Sequence, residues 1–364
     1  MRTKLSAAAA ALMLLTLALT QGWVKTASTA STEAGLIVLA DQGSFHVGGR
    51  PGQGEYVYVQ YQIPPETRDL PLVMWPEDGG SQLWDTTPDG RDGFRNILVR
   101  RGFSTYVFDE PWHVRAAAGT PGVAPARRGG SGLAEVLTEA DRRVFERFRI
   151  GVWPNYFPGV QFSRNAAALE QWWRQQTSQA APSEAAESLD AEAAAYVAAA
   201  LLAKVGPAVL LTHSENSILG WLTRMKTDEV KALVSYEATS FVFPEGDVPP
   251  PPTSSGPVRA VAVPSAEFAK LTTVPIQFVY GDNIPISPSN IPGLDIFRAR
   301  FAMARKMVEA INARGGRAEL LHLPAIGITG NTHIPMSDLN NVEIADLLSK
   351  WLNEKGLDRR GGGS

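Results

Sequence analysis

The chain contains no cysteine among its 364 residues. This absence excludes disulfides, thiolate nucleophiles and metal sites built on cysteine. No run of lysine or arginine indicates a nucleic-acid partner, and the formal net charge is only -3. The apolar stretch near the start, residues 7–19, is shorter than the ~20 residues of a membrane span. What remains is 44% hydrophobic and 20% charged, a composition that supports a large globular core.

The N-terminal segment differs from the rest in composition. Arg2 and Lys4 precede the apolar stretch, and small Ser, Thr and Ala residues follow near 27–31. This order is typical of a secretory signal peptide, which we place at residues 1–30. We therefore expect a secreted or periplasmic protein with no stable membrane association after cleavage.

Strands and helices alternate through the predicted domain, residues 31–357, which favours an α/β fold with a mostly parallel sheet and helices on both faces. Strands are predicted at residues 36–49 as a hairpin, and at 56–63, 70–75, 104–108, 207–213, 230–236, 274–280 and 318–323. Helices are predicted at residues 90–101, 184–205, 216–226, 297–314 and 341–354. A Pro-rich loop is expected at 244–264, and the tail at 358–364 is typical of a linker.

Residues 112–195 break this alternation. Ala, Gly and Pro dominate 116–132, and an aromatic cluster that includes Trp153 and Trp172 follows. We expect a cap-like insertion over the sheet. The alternative is a set of helices packed at the side, with no role in access.

The most informative stretch is the apolar run that ends at Ser214, with a helix-like segment directly after it. A serine on a sharp turn between a buried strand and a helix is the layout of a nucleophile elbow. The glycines that usually stand two residues before and after the serine are absent, and Thr212 and Asn216 take their places. Ser214 is therefore a candidate nucleophile, and the alternative is a helix N-cap.

A nucleophilic serine needs a histidine as base and an acid that orients the histidine. His213 adjoins the serine but points to the opposite face, as successive strand residues do. His322 lies within an apolar strand. His333 follows the last strand in a Gly/Asn-rich loop that can return an imidazole to the sheet, so it is the predicted base. The alternative for His333 is a surface-loop histidine.

Two carboxylates compete for the role of the acid. Glu237 and Asp282 each follow a predicted strand, at the sheet edge where α/β proteins bind ligands. Either one gives the chain order serine, acid, histidine. Position alone favours Asp282, because the acid usually follows the later strand. The other carboxylate is expected to cap a helix or a turn.

Several segments carry a family resemblance: residues 41–49, 86–91, 281–285, 330–333 and 338–341. With these segments the chain resembles, across nearly all of 36–357, a group of secreted bacterial α/β-hydrolase esterases. The resemblance implies the α/β-hydrolase fold and cleavage of carboxylic esters. In that group the acid is a glutamate after strand six, one strand earlier than usual. The corresponding residue in this chain is Glu237. The resemblance therefore implies that Glu237 is the acid, although position alone favours Asp282, and that Asp282 is a structural residue.

The chain departs from that family at four predicted strand ends: Pro76–Gly80, Glu110–Val114, Glu215–Asn216 and Ala238–Thr239. By position the oxyanion donors are the backbone amides of Asp78 and Glu215. The substrate pocket is predicted to include Trp75, Glu77, Glu110, Trp112 and Asn216. The clustering of these changes indicates a remodelled site on a retained scaffold. Because carboxylates beside an oxyanion oppose its charge, we expect weak or altered hydrolysis.

The sequence thus predicts a serine hydrolase that acts on a small carboxylic ester through an acyl-enzyme. Ser214 is the nucleophile, His333 the base and Glu237 the acid. No cofactor, metal or nucleic acid is expected as a partner, and a homodimer is left open. The alternative is a catalytically inactive hydrolase scaffold, whose acids and tryptophans bind a small cationic or aromatic ligand.

Overall fold

The central element of the structure is an eight-stranded sheet. The computed structural model describes residues 35–49, 57–76, 82–109, 139–177 and 191–360. Along the sheet the order is β1-β2-β4-β3-β7-β8-β11-β12. The strands are β1 (Asp41–Val47), β2 (Val57–Ile63), β3 (Leu72–Trp75), β4 (Thr105–Asp109), β7 (Ala208–His213), β8 (Val230–Tyr236), β11 (Pro275–Tyr280) and β12 (Arg317–His322). All pairs are parallel except β1–β2 and β2–β4, which confirms the predicted mostly parallel sheet.

Shorter strands and the helices complete the described part of the chain. β5 (Gly151–Val152) and β6 (Asn155–Tyr156) form an antiparallel pair, and β9 (Ser240–Pro244) and β10 (Arg259–Val263) a parallel one. The helices are α1 (Gln82–Asp85), α2 (Phe94–Arg100), α3 (Glu139–Arg147), α4 (Ala166–Thr177), α5 (Ala191–Val205), α6 (Ser217–Lys226), α7 (Ser265–Lys270), α8 (Pro292–Asn312) and α9 (Asn341–Glu354). Among the described residues, no helix combines the length and the apolar character that a membrane crossing requires.

Each face of the sheet has its own hydrophobic core. The division is visible within β3, where Val73 and Trp75 belong to one cluster while Leu72 and Met74 belong to the other. Successive strand residues point to opposite faces, so a fully apolar strand contributes side chains to both cores. Helices α5, α6 and α8 cover one core, and helices α2, α4 and α9 cover the other. The predicted layers of helix, sheet and helix are therefore confirmed.

Some sequence predictions differ from the structure. The segment 36–49 is not a hairpin by itself: only β1 forms, and it pairs with β2, while Leu36 before it is 92% exposed. The Pro-rich segment 244–264 contains β10, because the neighbouring β9 offers it a parallel partner. Helix α8 begins at Pro292, earlier than predicted, since proline is well suited to the first turn of a helix.

The two chain ends carry predictions of their own. The predicted signal peptide, residues 1–30, and residues 361–364 lie outside the described residues. The start of the predicted linker tail packs on the domain, because the Arg68 guanidinium donates to the carbonyl oxygen and the carboxylate of Asp358, at 2.5 and 3.2 Å. The folded part therefore extends beyond residue 357.

The described part of the insertion, 139–177, is joined to the loop that carries His333. The backbone N–H of His333 donates to the Phe148 carbonyl at 2.9 Å. Gln161 donates to the Gly330 carbonyl at 2.8 Å and accepts from the Leu339 N–H at 2.6 Å. The insertion also contributes aromatic side chains that are buried in the core beside α2 and α9: Phe145, Phe148, Phe162 and Trp172. Residues 112–138 and 178–190 of the predicted insertion lie outside the described ranges.

Gly330 packs closely against the insertion. Its φ is +81°, and a Cβ there would collide with the Gly159 carbonyl oxygen. We expect Gly330→Ala to lower the free energy of unfolding by ~1–2 kcal/mol through the left-handed backbone and by a further ~1–3 kcal/mol through the collision. Denaturant unfolding measures the loss.

Gly327→Ala is the matched control for this substitution. Gly327 has nearly the same backbone, with φ +84°, but no atom lies within 4 Å of its would-be Cβ. It should show only the backbone part of the loss. Equal losses in the two variants would contradict the close packing at Gly330.

Candidate active site

The chain turns sharply at Ser214, directly after β7. Its φ is +52°, in the left-handed region that residues with a Cβ rarely adopt. A 3₁₀ turn, Ser214–Asn216, leads straight into α6. The serine side chain is buried at 1% exposure. A strained turn between strand and helix is the geometry of a nucleophile elbow.

The elbow forms without its usual flanking glycines. Thr212 faces Gly220 of α6, where a Cβ would lie only 2.8 Å from the Thr212 methyl group, so the glycine in the helix leaves room for the threonine. Asn216 has φ −72° and ψ 0°, which residues with a Cβ adopt. Its side-chain amide donates to the Pro76 carbonyl at 2.5 Å. The absent glycines therefore do not prevent the turn.

His333 lies beside the serine. Its Nε2 is 2.9 Å from the Ser214 Oγ, and its Nδ1 is 3.3 Å from Glu237 Oε2. Because a carboxylate only accepts hydrogen bonds, Nδ1 carries the proton and Nε2 can accept from the serine hydroxyl. The His213 Nε2 donates to the His333 carbonyl at 2.7 Å. His213 thus supports the loop of His333, and the centres of the two imidazole rings lie 4.8 Å apart.

Glu237 directly follows β8 in a second left-handed turn, with φ +56°. Its side chain is fully buried. Oε1 accepts from the Arg149 Nη2 and from the Gly281 N–H, both at 2.6 Å. Burial opposes ionisation, but the Arg149 guanidinium, the hydrogen bond to His333 and the Gly281 N–H outweigh it and lower the pKa of Glu237 to about 2. The carboxylate is therefore ionised at neutral pH.

Arg149 is the site residue that the sequence reasoning missed. It lies in the insertion, 88 positions before Glu237, and its side chain is 0% exposed. A signal was present, since this arginine stands between Phe148 and Ile150, both of which are core residues. An arginine enclosed by apolar residues requires a buried anionic partner.

Asp282, the acid that position alone favoured, has other hydrogen bonds. Its carboxylate accepts from the backbone N–H groups of Asn283 and Gly330, at 2.6 and 2.7 Å. Its carbonyl oxygen accepts from the Arg149 Nε at 2.7 Å. Its carboxylate bonds link β11 to the loop that precedes His333. The geometry thus brings Glu237, and not Asp282, to the His333 ring.

The other predicted residues fall into two groups. Glu215 is exposed, and Asn216 is half-buried with its amide on the Pro76 carbonyl. Trp75 is buried in the core, with its ring 4.1 Å from that of Phe108, so in the described part of the chain it packs and does not line an open pocket. The predicted oxyanion residue Asp78 and the predicted pocket residues Glu77, Glu110 and Trp112 lie outside the described residues.

A second buried carboxylate holds the loop just before His333. Asp338 accepts from the Thr332 N–H at 2.7 Å, the Thr332 hydroxyl at 2.8 Å and the Asn331 side-chain amide at 3.0 Å. Burial raises the pKa of Asp338 to about 7. Arg91 in turn donates to the Asp338 carbonyl at 3.1 Å and to the Asn341 side chain at 2.8 Å. Three of the segments that carry the family resemblance, 86–91, 330–333 and 338–341, are thus in contact next to His333.

In the ranges that the structure covers, no group of three His, Asp or Glu side chains is arranged to hold a metal ion. A serine, a histidine and an ionised acid in hydrogen-bonded series can activate the serine hydroxyl for attack on a carbonyl carbon.

Comparison with known proteins supports the fold. No protein-family model matches the chain. The probable secreted lipase phiG of Fungal sp. (strain ATCC 74256) is 23% identical over an alignment of 344 residues that covers 85% of this chain and 89% of the lipase. A solved structure described as a novel bacterial esterase is 27% identical, with a TM-score of 0.66 over 89% of this chain and 98% of the esterase. Together with the sheet order, this likeness shows that the chain has the α/β-hydrolase fold.

The low pKa of Glu237 predicts a pH-dependent stability. Its pKa lies near 2 in the fold, below its ordinary value of 4.5. Ionisation of Glu237 therefore stabilises the fold above pH 4.5, and this contribution is lost as the pH falls from there towards 2. The contribution is on the order of 3 kcal/mol.

Urea unfolding of the wild type and of Glu237→Gln, from about pH 6 to about pH 2.5, measures this contribution. The variant has no ionisable group at position 237, and it leaves Arg149 buried without its carboxylate. It should therefore be the less stable protein near neutrality, and the difference should shrink on acidification. A difference that stays constant with pH would show that the carboxylate is not held ionised by the fold.

Proposed function

We propose that the chain is a serine hydrolase that cleaves carboxylic esters through an acyl-enzyme. The observation that carries the proposal is the hydrogen-bonded series Ser214–His333–Glu237 at a strained elbow. The likeness to a bacterial esterase of 27% identity supports an ester as the substrate class. The name of the fungal relative and the signal-like N-terminal segment support export from the cell.

In the proposed reaction, the Ser214 Oγ attacks the ester carbonyl carbon while His333 Nε2 accepts the serine proton. Glu237 stabilises the imidazolium that forms and keeps the ring in the required tautomer. His333 then gives the proton to the leaving alkoxide, and the ester C–O bond breaks to leave acyl-Ser214. A water molecule, deprotonated by His333, attacks the acyl carbon. The carboxylic acid leaves and the serine recovers its proton.

The negative charge that develops on the carbonyl oxygen needs donors. We assign this role to the backbone amides of Asp78 and Glu215, as the positions of an oxyanion hole require. The exposed carboxylate of Glu215, next to the nucleophile, opposes that charge. Turnover is sensitive to how this charge is stabilised, because loss of one donor costs roughly 10²–10³-fold in rate. We therefore propose a remodelled site whose efficiency differs from that of a general esterase.

Labelling with a fluorophosphonate probe tests the nucleophile. The wild type should be labelled and Ser214→Ala should not. The hydrolysis of p-nitrophenyl acetate should fall by roughly 10⁴-fold or more in Ser214→Ala. Ser217→Ala is the matched control, because Ser217 is a buried serine of the same turn whose hydroxyl donates to the Ser240 carbonyl. This control should keep the label.

The labelling result also decides between the two predicted functions. If the wild type reacts no better than Ser214→Ala, the chain is not a serine hydrolase. The inactive scaffold that binds a small cationic or aromatic ligand then becomes the better explanation.

Single substitutions separate the two candidate acids. Glu237→Ala should reduce kcat by roughly 10²–10⁴-fold, because the imidazolium loses its counter-charge and its orientation. Asp282→Ala should cost less, since its carboxylate bonds go to backbone N–H groups of Asn283 and Gly330. Steady-state kinetics on p-nitrophenyl acetate measure both. Full activity in Glu237→Ala would overturn its assignment as the acid.

A further inference from the structure

Two consecutive residues of the insertion contact both the histidine and the acid of the triad. The Phe148 carbonyl accepts from the His333 N–H at 2.9 Å, and the two rings meet edge to face with their centres 5.0 Å apart. The next residue, Arg149, places its Nη2 at 2.6 Å from Glu237 Oε1. A segment far from His333 and Glu237 in the chain thus contributes to the surroundings of both.

The Arg149 side chain is held by several independent contacts. Its Nε donates to the Asp282 carbonyl at 2.7 Å, and its guanidinium carbon lies 4.4 Å from the centre of the Phe297 ring. The same Phe297 ring lies 4.7 Å from the His333 ring. Arg149 itself has φ +57°, which is unfavourable for a residue with a Cβ and persists only where the surroundings enforce it. The turn and these contacts therefore fix the position of the guanidinium.

The two bonds at Glu237 Oε1 determine which oxygen faces the histidine. Oε1 accepts from Arg149 and from the Gly281 N–H, so Oε2 is the oxygen directed at His333 Nδ1. A guanidinium can bond the Glu237 carboxylate and the Asp282 carbonyl at once, because its donors form a rigid planar fork. An ammonium in the same place carries the charge without that fork.

Asp338 shows what burial does in this protein without a paired cation. Asp338 and Glu237 are both buried, and the Asp338 carboxylate accepts three hydrogen bonds. Burial nevertheless raises the pKa of Asp338 to about 7, whereas that of Glu237, buried but beside Arg149, is lowered to about 2. Arg149 and His333 both hydrogen-bond Glu237, whereas Arg149 lowers the pKa of Asp338 through its charge alone.

We propose that Arg149 is a positioning residue of the triad, which keeps the Glu237 carboxylate ionised and aimed at His333 Nδ1. This inference rests on the proposed function, because it assigns the role of a residue that acts through the triad acid. It also gives the described part of the insertion a role in the reaction that does not depend on covering the substrate.

Kinetics of Arg149→Met and Arg149→Lys on p-nitrophenyl acetate, as a function of pH, test the inference. Arg149→Met removes the charge, so kcat should fall by roughly 10²-fold, no more than the roughly 10²–10⁴-fold expected for loss of the acid in Glu237→Ala. KM should change little, because Arg149 is buried behind the acid. The acidic limb of the pH profile should move up by at least about one unit as Glu237 becomes easier to protonate. Arg149→Lys should keep the limb of the wild type and lose less in kcat.

Arg95→Met is the matched control. Arg95 is 4% exposed and pairs with Asp85 at 3.1 Å, so its loss also removes a buried guanidinium. It should lower the melting temperature without a shift of the pH profile. A shift in Arg95→Met equal to that in Arg149→Met would show that general loosening, and not the charge on Glu237, moves the profile.

Unfolding measurements give a readout that needs no activity. In Arg149→Met the Glu237 pKa should rise above its unfolded value, so protonation stabilises the fold and the deficit relative to the wild type shrinks as the pH falls. If Arg149→Met does not fold, the same unfolding measurements are made on two other variants. Arg149→Lys keeps the positive charge, and the double variant Arg149→Met/Glu237→Gln removes both charges.

The outcomes separate the inference from the proposed function. The inference is overturned if Arg149→Met keeps the pH profile of the wild type and its loss of stability does not vary with pH. This holds even where Ser214 is labelled. Absence of labelling in the wild type overturns the proposed function, and the unfolding measurements still decide whether Arg149 holds Glu237 ionised.

Discussion

The buried ion pair between Glu237 and Arg149 is the interaction on which the site depends. A carboxylate at 0% exposure is costly unless it is paired and hydrogen-bonded on all sides. Here its partners come from separate parts of the chain: Arg149 from the insertion, Gly281 from the end of β11 and His333 from the loop after β12. The requirement to satisfy this one charge therefore brings several distant segments to the same point of the sheet edge.

Backbone strain is concentrated at the same place. Ser214 and Glu237 follow the neighbouring strands β7 and β8, and both have positive φ, as does Arg149. The Thr239 N–H donates to the Ser214 carbonyl at 3.3 Å, so the two strained turns are tied to each other. Each such conformation costs on the order of 1–3 kcal/mol and persists only where the surrounding packing enforces it. The two hydrophobic cores and the paired charge provide that enforcement.

The sequence predicted the parts of this arrangement that leave a local pattern. Apolar runs and helical spacing located the strand before Ser214 and the helix after it, and chain order located His333. The choice between Glu237 and Asp282 was not local, because both follow parallel strands and only the packed sheet decides which carboxylate reaches the imidazole. Position favoured the one that binds backbone N–H groups, and only the family resemblance pointed to Glu237, the one beside His333.

Arg149 escaped prediction for a related reason, since its partner is 88 positions away and no periodic pattern surrounds it. The same turn positions the His333 backbone, because the Phe148 carbonyl accepts a hydrogen bond from the His333 N–H. A displacement of this part of the insertion therefore moves the histidine and the counter-charge of the acid together. Packing of the insertion and the geometry of the proposed triad therefore depend on each other. A change in the aromatic core around Phe148 and Trp172 reaches Ser214 through His333, although neither aromatic residue needs to touch a substrate.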